Sequence, residues 1–208
     1  ENVDRLLKSP VPQRGRDFAI ILSCLLKEGY AVEWRVINAA DYGFAQKRRR
    51  VFIFAAKKGT DWYRLISKNA SKNEFIETKG FFSEQFPVKL NKELKIEDSV
   101  PNCIITDDVQ AISDSFAYGF MNSGVMFDGK IWTKPVRPID ITPKLLGDIL
   151  IPGADESFYI PSEDIGKWKY LKGAKKEPRV RKDGSEFFYT EGGIPFPENL
   201  ESPSRTII

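Results

Sequence analysis

The chain has 208 residues, 41% of them hydrophobic, with 32 Lys and Arg against 29 Asp and Glu, two cysteines and no histidine, which suits one ordinary domain or a domain plus part of another. Mixed charge and 12% aromatic residues argue against disorder, no run approaches the ~18 apolar residues of a membrane span, and the first residues resemble neither a signal nor a transit peptide. Two cysteines without histidine argue against a disulfide framework or a metal site and remove Ser-His-Asp and Cys-His nucleophiles, leaving a soluble, cytoplasmic protein with reduced thiols.

The chain opens at Glu1-Asn2-Val3 without an initiator Met, and it ends in the strand-like Arg205-Thr206-Ile207-Ile208 with no polar tail. Natural termini are usually polar and frayed, so an excised piece of a longer protein is expected. The turn-rich Ser9-Pro10-Val11-Pro12 leads to a helix over Asp17–Glu28, with Asp17 as N-cap or first-turn acid. Phe18, Ile21, Leu22, Leu25 and Leu26 make one apolar stripe, and Gly29 supplies the stop. Cys24 lies off that stripe and reads as a helix residue without a catalytic role. Ala31–Ile37 alternates, with Val32, Trp34 and Val36 on one face and Glu33 and Arg35 on the other, which predicts a strand. Asn38–Arg50 reads as a loop ending in four basic residues, and Val51–Ala56 as a buried strand. Strand, loop, strand after a helix is an α/β layout with function expected on the loop.

After Lys58 the texture changes. A short helix is expected over Asp61–Ser67, a polar loop over Ser67–Lys79, short elements at Leu94–Ser99 and Cys103–Ala111 with Asp107-Asp108 at a turn, and a brief helix or extended piece at Leu145–Leu150. Asp128-Gly129 and Asp183-Gly184, each between apolar or alternating runs, predict hairpins. A boundary near residue 58 therefore separates an α/β part from a mostly β, irregular second part. Charge divides unevenly as well. Residues 1–57 hold 11 basic and 6 acidic side chains, and residues 166–182 hold 8 basic and 1 acidic, so two basic islands stand in an otherwise acidic chain. Such islands fit either polyanion contact or a solvated face.

Four features combine: Glu1-Asn2-Val3, the helix ending in Glu28-Gly29-Tyr30, the run Asn38-Ala39-Ala40-Asp41-Tyr42-Gly43-Phe44-Ala45-Gln46-Lys47-Arg48-Arg49-Arg50 before an apolar strand, and Pro203-Ser204-Arg205-Thr206-Ile207. Together they resemble the DNA (cytosine-5) methyltransferase family, with its Glu-Asn-Val and Gln-x-Arg-x-Arg motifs. The resemblance to the catalytic domain covers residues 1–57. Met121-Asn122-Ser123-Gly124, Trp168–Gly173 and Glu191-Gly192-Gly193 onward look like the recognition domains of bacterial members. Ala45 departs from the family's Pro at that place, with no expected consequence. The resemblance implies the incomplete edge of a Rossmann-like, S-adenosylmethionine-dependent methyltransferase sheet over 1–57. It also implies a target recognition domain over 58–200 and the start of a return segment to the catalytic domain over 201–208.

The chemistry accounts for those residue types. A thiolate adds to carbon 6 of cytosine only if charge building on the ring is neutralised, and a carboxyl group in a desolvated pocket can do this by donating at N3. By resemblance Glu1 has that role, Arg50 reaches the O2 carbonyl with Arg48 in support, and Asn2 orders the pocket backbone. Gln46 belongs with the DNA contacts of the same motif. The second island interleaves aromatics with Lys172, Lys175, Lys176, Arg179 and Arg181, which suits phosphate contact on double-stranded DNA, with one or two of these side chains reaching guanine edges. Trp168 and Tyr170 read as small-core anchors. The family's catalytic Cys follows a Pro; here Cys24 follows Ser23 and Cys103 follows Asn102. The glycine-rich loop that holds S-adenosylmethionine has no counterpart either, since Phe116-Ala117-Tyr118-Gly119-Phe120 has one Gly and no strand–loop–helix setting. The chain is therefore expected to be inactive alone. Two other readings compete with this one: a non-catalytic nucleic-acid-binding module, which would bind duplexes in a salt-sensitive way, and a protein-interaction domain, which would not bind DNA at low salt.

Overall fold

The computed structural model describes residues 1–90 and 100–206; the element expected at Leu94–Ser99 lies outside them. In chain order, β1 (Asn2–Val3) is followed by α1 (Arg16–Lys27), β2 (Tyr30–Asn38), a 3-10 turn at Ala39–Tyr42, β3 (Gln46–Lys47) and β4 (Arg49–Lys57). Then come α2 (Asp61–Lys68), α3 (Lys72–Glu74), a π-helical turn at Phe75–Lys79, β5 (Cys103–Ile104), α4 (Val109–Ser115), β6 (Ser123–Phe127) and β7 (Lys130–Lys134). After a 3-10 turn at Gly147–Ile149 the chain forms α5 (Ile165–Lys172), β8 (Lys175–Val180), β9 (Glu186–Glu191) and β10 (Ser204–Arg205). Among the described residues, no helix is long and apolar enough to cross a membrane. No group of three His, Cys, Asp or Glu there could hold a metal ion.

Six strands make one antiparallel sheet in the order β1-β4-β2-β6-β7-β5. β2 runs beside β4 from Tyr30↔Lys57 to Asn38↔Arg49, and its other edge pairs with β6 from Val32↔Met126 to Arg35↔Ser123. The sheet thus runs through the expected boundary at residue 58. Two features let β6 close on β2. Asp128 (φ 50°) and Gly129 (φ 72°) form the two-residue left-handed turn expected between β6 and β7. Gly124 lies flat under Trp34, where a Cβ would come within 2.1 Å of the indole ring.

One face of the sheet packs on α1. Its apolar stripe delivers Phe18 and Leu22 to a core built on the edge-to-face trio Phe18, Trp34 and Phe120, with centroids 5.0–5.7 Å apart. Asp17 proves to be a first-turn acid that accepts from the Ser9 hydroxyl at 2.8 Å, and Gly15 is the N-cap. The second face is covered by Ile66, Phe75, Ile76 and Val88, which pack on Ala31, Ala56 and Val125.

That second cover corrects the sequence reading in several places. Within Ser67–Lys79 all but Asn69–Ser71 is helical rather than loop, and Phe75 and Ile76 are fully buried. Lys72 is buried too, its ammonium donating to the carbonyls of Ile66 (2.6 Å) and Asn69 as a cap on α2. Helices α2, α4 and α5 contribute as much to residues 58–200 as strands do, so a mostly β texture describes only part of the segment. In β4, Val51 and Ala56 are buried but Phe52–Ala55 are only partly so, because β1 covers just Arg50 and Val51 along that edge.

Glu33 and Arg35 share a face, as their alternation predicts, but that face is sealed: they are 1% and 0% exposed. Arg35 donates to the carbonyls of Phe86 (2.7 Å), Phe82 (3.3 Å) and Ile76, while Glu33 accepts the backbone N–H of Phe81 (2.7 Å) and lies 3.9 Å from Arg35. A second buried pair, Lys134 to Glu77 at 2.6 Å, ties β7 to the π-helical turn. Burial lifts the Glu33 carboxyl from 4.5 to about 7 against the opposing pull of the Phe81 N–H, Arg35 and the Phe82 N–H. The unfolded chain then binds fewer protons than the folded one between those values. The Glu33 contribution to stability is therefore full below pH 4.5 and is lost as pH rises through about 7. Arg35→Met, which leaves a buried carboxyl uncompensated, is expected to cost about 3–5 kcal/mol in urea unfolding at pH 8 and measurably less at pH 5, where Glu33 takes up a proton. An equal cost at both pH values would contradict this role.

Candidate active site and nucleic-acid interface

β1 pairs antiparallel with the start of β4, Asn2 opposite Val51 and Val3 opposite Arg50. The pairing carries Glu1 to the three consecutive arginines. Arg48 Nη2 donates to Glu1 Oε1 at 2.8 Å, with the two side chains 39% and 43% exposed. Arg49 Nε meets Asp4 Oδ2 at 2.7 Å. Arg50 Nη1 donates to the Arg49 carbonyl at 2.8 Å, and among the described residues it pairs with no carboxylate. The structure thus puts Arg48 in contact with Glu1 and Arg50 opposite Val3 on the neighbouring strand, and of the three guanidiniums two are engaged by carboxylates and one is not. The described residues do not enclose Glu1, so they do not by themselves provide the dry pocket that a proton-donating carboxyl requires.

The loop before the arginines is held by its own backbone. The Ala39 N–H donates to the Arg48 carbonyl (3.0 Å), Phe44 N–H to Ala39 (3.2 Å), and Gly43 closes the 3-10 turn at φ 90°. Tyr42 anchors it below, its hydroxyl donating to the Phe86 carbonyl at 3.4 Å and its ring edge-on to Phe86 at 5.1 Å. Burial raises the Tyr42 phenol above its ordinary value. Gln46 and Lys47 form β3 and pair in parallel with Ser204 and Arg205 of β10. Ser204 N–H also donates to the Ala45 carbonyl (2.8 Å) and Thr206 Oγ1 to Lys47 (2.9 Å). A groove of about 490 Å³ beside this junction is lined by Tyr42, Phe44, Gln46, Lys144, Ile149 and Ser204.

The second basic island forms α5 and the hairpin β8–β9, in register from Lys175↔Glu191 to Val180↔Glu186. Neither α5 nor the hairpin contains a buried residue. The five basic residues singled out by sequence all lie over aromatic rings: Lys172 over Trp168, Lys175 over Tyr170, Lys176 over Phe188, Arg179 over Tyr189 and Arg181 over Phe187. Trp168 stacks near Phe196 at 6.4 Å, and the Tyr170 hydroxyl donates to Glu177. Lys175 differs from the rest: its ammonium is 2.7 Å from Glu191 and 2.9 Å from the Leu171 carbonyl, and its side chain is 11% exposed. It staples α5 to the hairpin. Sequence reasoning did not pick out the partners Glu177, Glu191, Phe187 and Tyr189, although strict alternation in Glu186–Glu191 would have placed the last three on one face.

Two other features bear on chemistry. Desolvation pushes the Cys103 thiol up to about 11, the reverse of an activated nucleophile. Phe116–Phe120 belongs to the core, Phe120 stacking on Phe116 and lying edge-on to Phe18, with the Tyr118 N–H donating to Arg14. Phe116–Phe120 is therefore taken up by core packing rather than forming a loop open to a cofactor.

A family model for the C-5 cytosine-specific DNA methylase matches residues 1–178. The chain is 45% identical over 213 residues to the Type II methyltransferase M.Sau3AI of Staphylococcus aureus, an alignment that covers all of this chain and 50% of that protein. It is 39% identical over 91 residues to M.NlaIV of Neisseria lactamica (42% of this chain, 22% of that protein) and 30% identical over 110 residues to M.NgoBI of Neisseria gonorrhoeae (49% and 34%). The chain spans half or less of the length of these curated relatives. No solved structure matches it.

The two thiols should separate on alkylation. With substoichiometric iodoacetamide at pH 7.5, peptide mapping is expected to find label on the exposed Cys24 well before Cys103, whose thiol burial keeps protonated. Preferential labelling of Cys103 would contradict the packing around it.

Proposed function

Because the chain belongs to the C-5 cytosine-specific DNA methylase family, we propose that it is the part of a bacterial type II DNA cytosine-5 methyltransferase that holds the target cytosine and contacts the duplex around it. In this reading β1, β2 and β4 are the edge of the Rossmann-like catalytic sheet. Residues 58–200 are the target recognition domain, its β6–β7 hairpin continuing that sheet, and 201–208 are the return segment. The family implies S-adenosylmethionine as methyl donor.

The observation that carries the proposal is the pairing of β1 with β4, which brings Glu1 into contact with Arg48 across 47 residues of sequence and leaves Arg50 opposite Val3. A cytosine swung out of the duplex would meet a carboxyl group and a guanidinium on one short stretch of sheet. Glu1 would donate a proton or strong hydrogen bond at N3 and hold the exocyclic amine, while Arg50, which no described carboxylate engages, would donate to O2. Both act on charge that develops on the ring, so their stabilisation is greater in the transition state than in the ground state. Arg48 would orient the Glu1 carboxyl. Water is excluded from Glu1 only once the base and the rest of the parent protein close over it. Gln46 lies where the motif loop and the return segment meet and would contact the DNA there, with Lys172 at the end of α5 and Lys176, Arg179 and Arg181 on the hairpin. Lys175, engaged by Glu191, would act there mainly as a staple.

In the longer protein that carries this segment, Glu1→Gln and Arg50→Ala are expected to lower kcat by roughly 10²–10³ each while duplex Kd stays within a few-fold. Methyl transfer that survives both would overturn the assignment, and duplex binding without methyl transfer in the unaltered longer protein would favour a non-catalytic DNA-binding module. The 208-residue chain alone, which carries no Pro-Cys, is expected to transfer no tritiated methyl group to DNA.

A further inference from the structure

The five cation–ring pairs of the second basic island are not equivalent. The ammoniums of Lys172 and Lys176 lie 5.8 and 5.3 Å from their ring centres, and Lys175 is already satisfied by Glu191 and Leu171. Arg179 Cζ is only 3.8 Å from the Tyr189 centroid, and Arg181 Cζ is 4.7 Å from that of Phe187. Both distances place the ring against the guanidinium. Across the ladder Arg179 stands opposite Phe187 yet leans onto the diagonal Tyr189, while Arg181, just beyond β8 and paired through its backbone with Ser185, leans onto Phe187. A ring that covers the face of a guanidinium leaves the N–H edge open and reduces the rotamer freedom lost when that edge docks.

The neighbours of Arg179 sharpen the distinction between base and phosphate. Glu177 Oε2 lies 3.5 Å from Arg179 Nη2, and Glu177 Oε1 accepts from the Tyr170 hydroxyl. A carboxylate beside the guanidinium repels the full charge of an incoming phosphate more strongly than the uncharged O6/N7 edge of guanine, whose acceptors carry only partial charge. The fork of N–H donors matches that edge in the major groove. Arg181 projects from the hairpin loop, held by its Nη1 contact to Ser185 Oγ at 3.3 Å, and it is exposed like Arg179.

We infer that Arg179 and Arg181 read guanine at two positions of the recognised duplex, and that Tyr189 and Phe187 are the positioning residues that make these guanidiniums selective. The inference rests on the proposal above that the chain contacts a specific DNA duplex. Lys172 and Lys176 then supply sequence-independent attraction to phosphates, and Lys175 supplies hairpin architecture.

The test is selection of duplexes from a randomised library by the 208-residue chain at low salt, followed by affinity against salt for the enriched sequence. The unaltered chain is expected to enrich duplexes that share two G·C positions. Arg179→Lys and Tyr189→Ala should each flatten the preference at the same one of them by about tenfold, and Arg181→Lys and Phe187→Ala at the other. Tyr189→Phe should preserve the preference. The ring variants should leave the salt slope unaltered, because no phosphate contact is lost. If Tyr189→Ala unfolds the hairpin by circular dichroism, Arg179→Lys, which keeps charge and length, carries the same test. Guanine preference that survives the Arg→Lys changes, or ring variants that weaken all sequences equally, overturns the inference while duplex binding stands. Failure of the unaltered chain to enrich any sequence overturns the DNA-contact reading itself.

Discussion

Arg35 lies out of reach of water in the middle of the central strand, and a guanidinium there must find acceptors within the protein. It finds them in the backbone of a single segment, at the carbonyls of Ile76, Phe82 and Phe86, while Glu33 takes the N–H groups of the same stretch. Two charges on one strand thus hold the Ile76–Phe86 part of the cover on the second sheet face in register. A hydrocarbon pair could fill the same space, but it would not specify which carbonyls lie above it. The consequence reaches the candidate site, because Phe86 is also the floor for Tyr42, and Tyr42 anchors the loop that presents Gln46 and the arginines.

The molecule handles charge in two different ways. In the sheet body, charged side chains are paired and dry, as Glu33 with Arg35 and Lys134 with Glu77, and they fix geometry. In the α5–hairpin arm, cations lie over rings with their polar edges in solvent, and most carry no tight carboxylate partner. Paired charges resist movement and contribute little to long-range attraction. Charges over rings remain available to an anion while their side chains are already partly ordered. A sheet edge bearing Glu1, Arg48 and Arg50 and a cationic arm fit the proposed division of labour, in which one part attracts a duplex and the other holds one of its bases.

Much of the local architecture was legible in the residues. The apolar stripe from Phe18 to Leu26 identified α1, alternation from Ala31 to Ile37 identified β2, and both Asp-Gly pairs mark hairpins, because each of these signals is decided by neighbours a few positions away. The helical turns over Lys72–Lys79 were not legible. Their composition is polar, and only Phe75-Ile76 announces a buried face that exists because β2 and β6 supply the other side of it. The candidate residues divide in the same way. Gln46, Arg48 and Arg50 stood out through motif spacing and Lys172–Arg181 through charge density, but neither signal could show that Lys175 is consumed by Glu191 or that Arg179 rests on Tyr189.

By itself the sequence determined α1, β2, β4, the hairpin turns, the two basic islands and the family resemblance, all of which are properties of short windows and fixed spacings. Tertiary structure alone decided that Glu33 and Arg35 are buried and that β6 extends the sheet across residue 58. It alone also decided that Glu1 meets Arg48 and that one lysine of the second island is a staple while two arginines lie exposed against aromatic rings. Burial and charge pairing are set by residues far apart in the chain, and the same carboxylate or guanidinium takes on a different chemistry according to which of them the fold brings within a few ångströms.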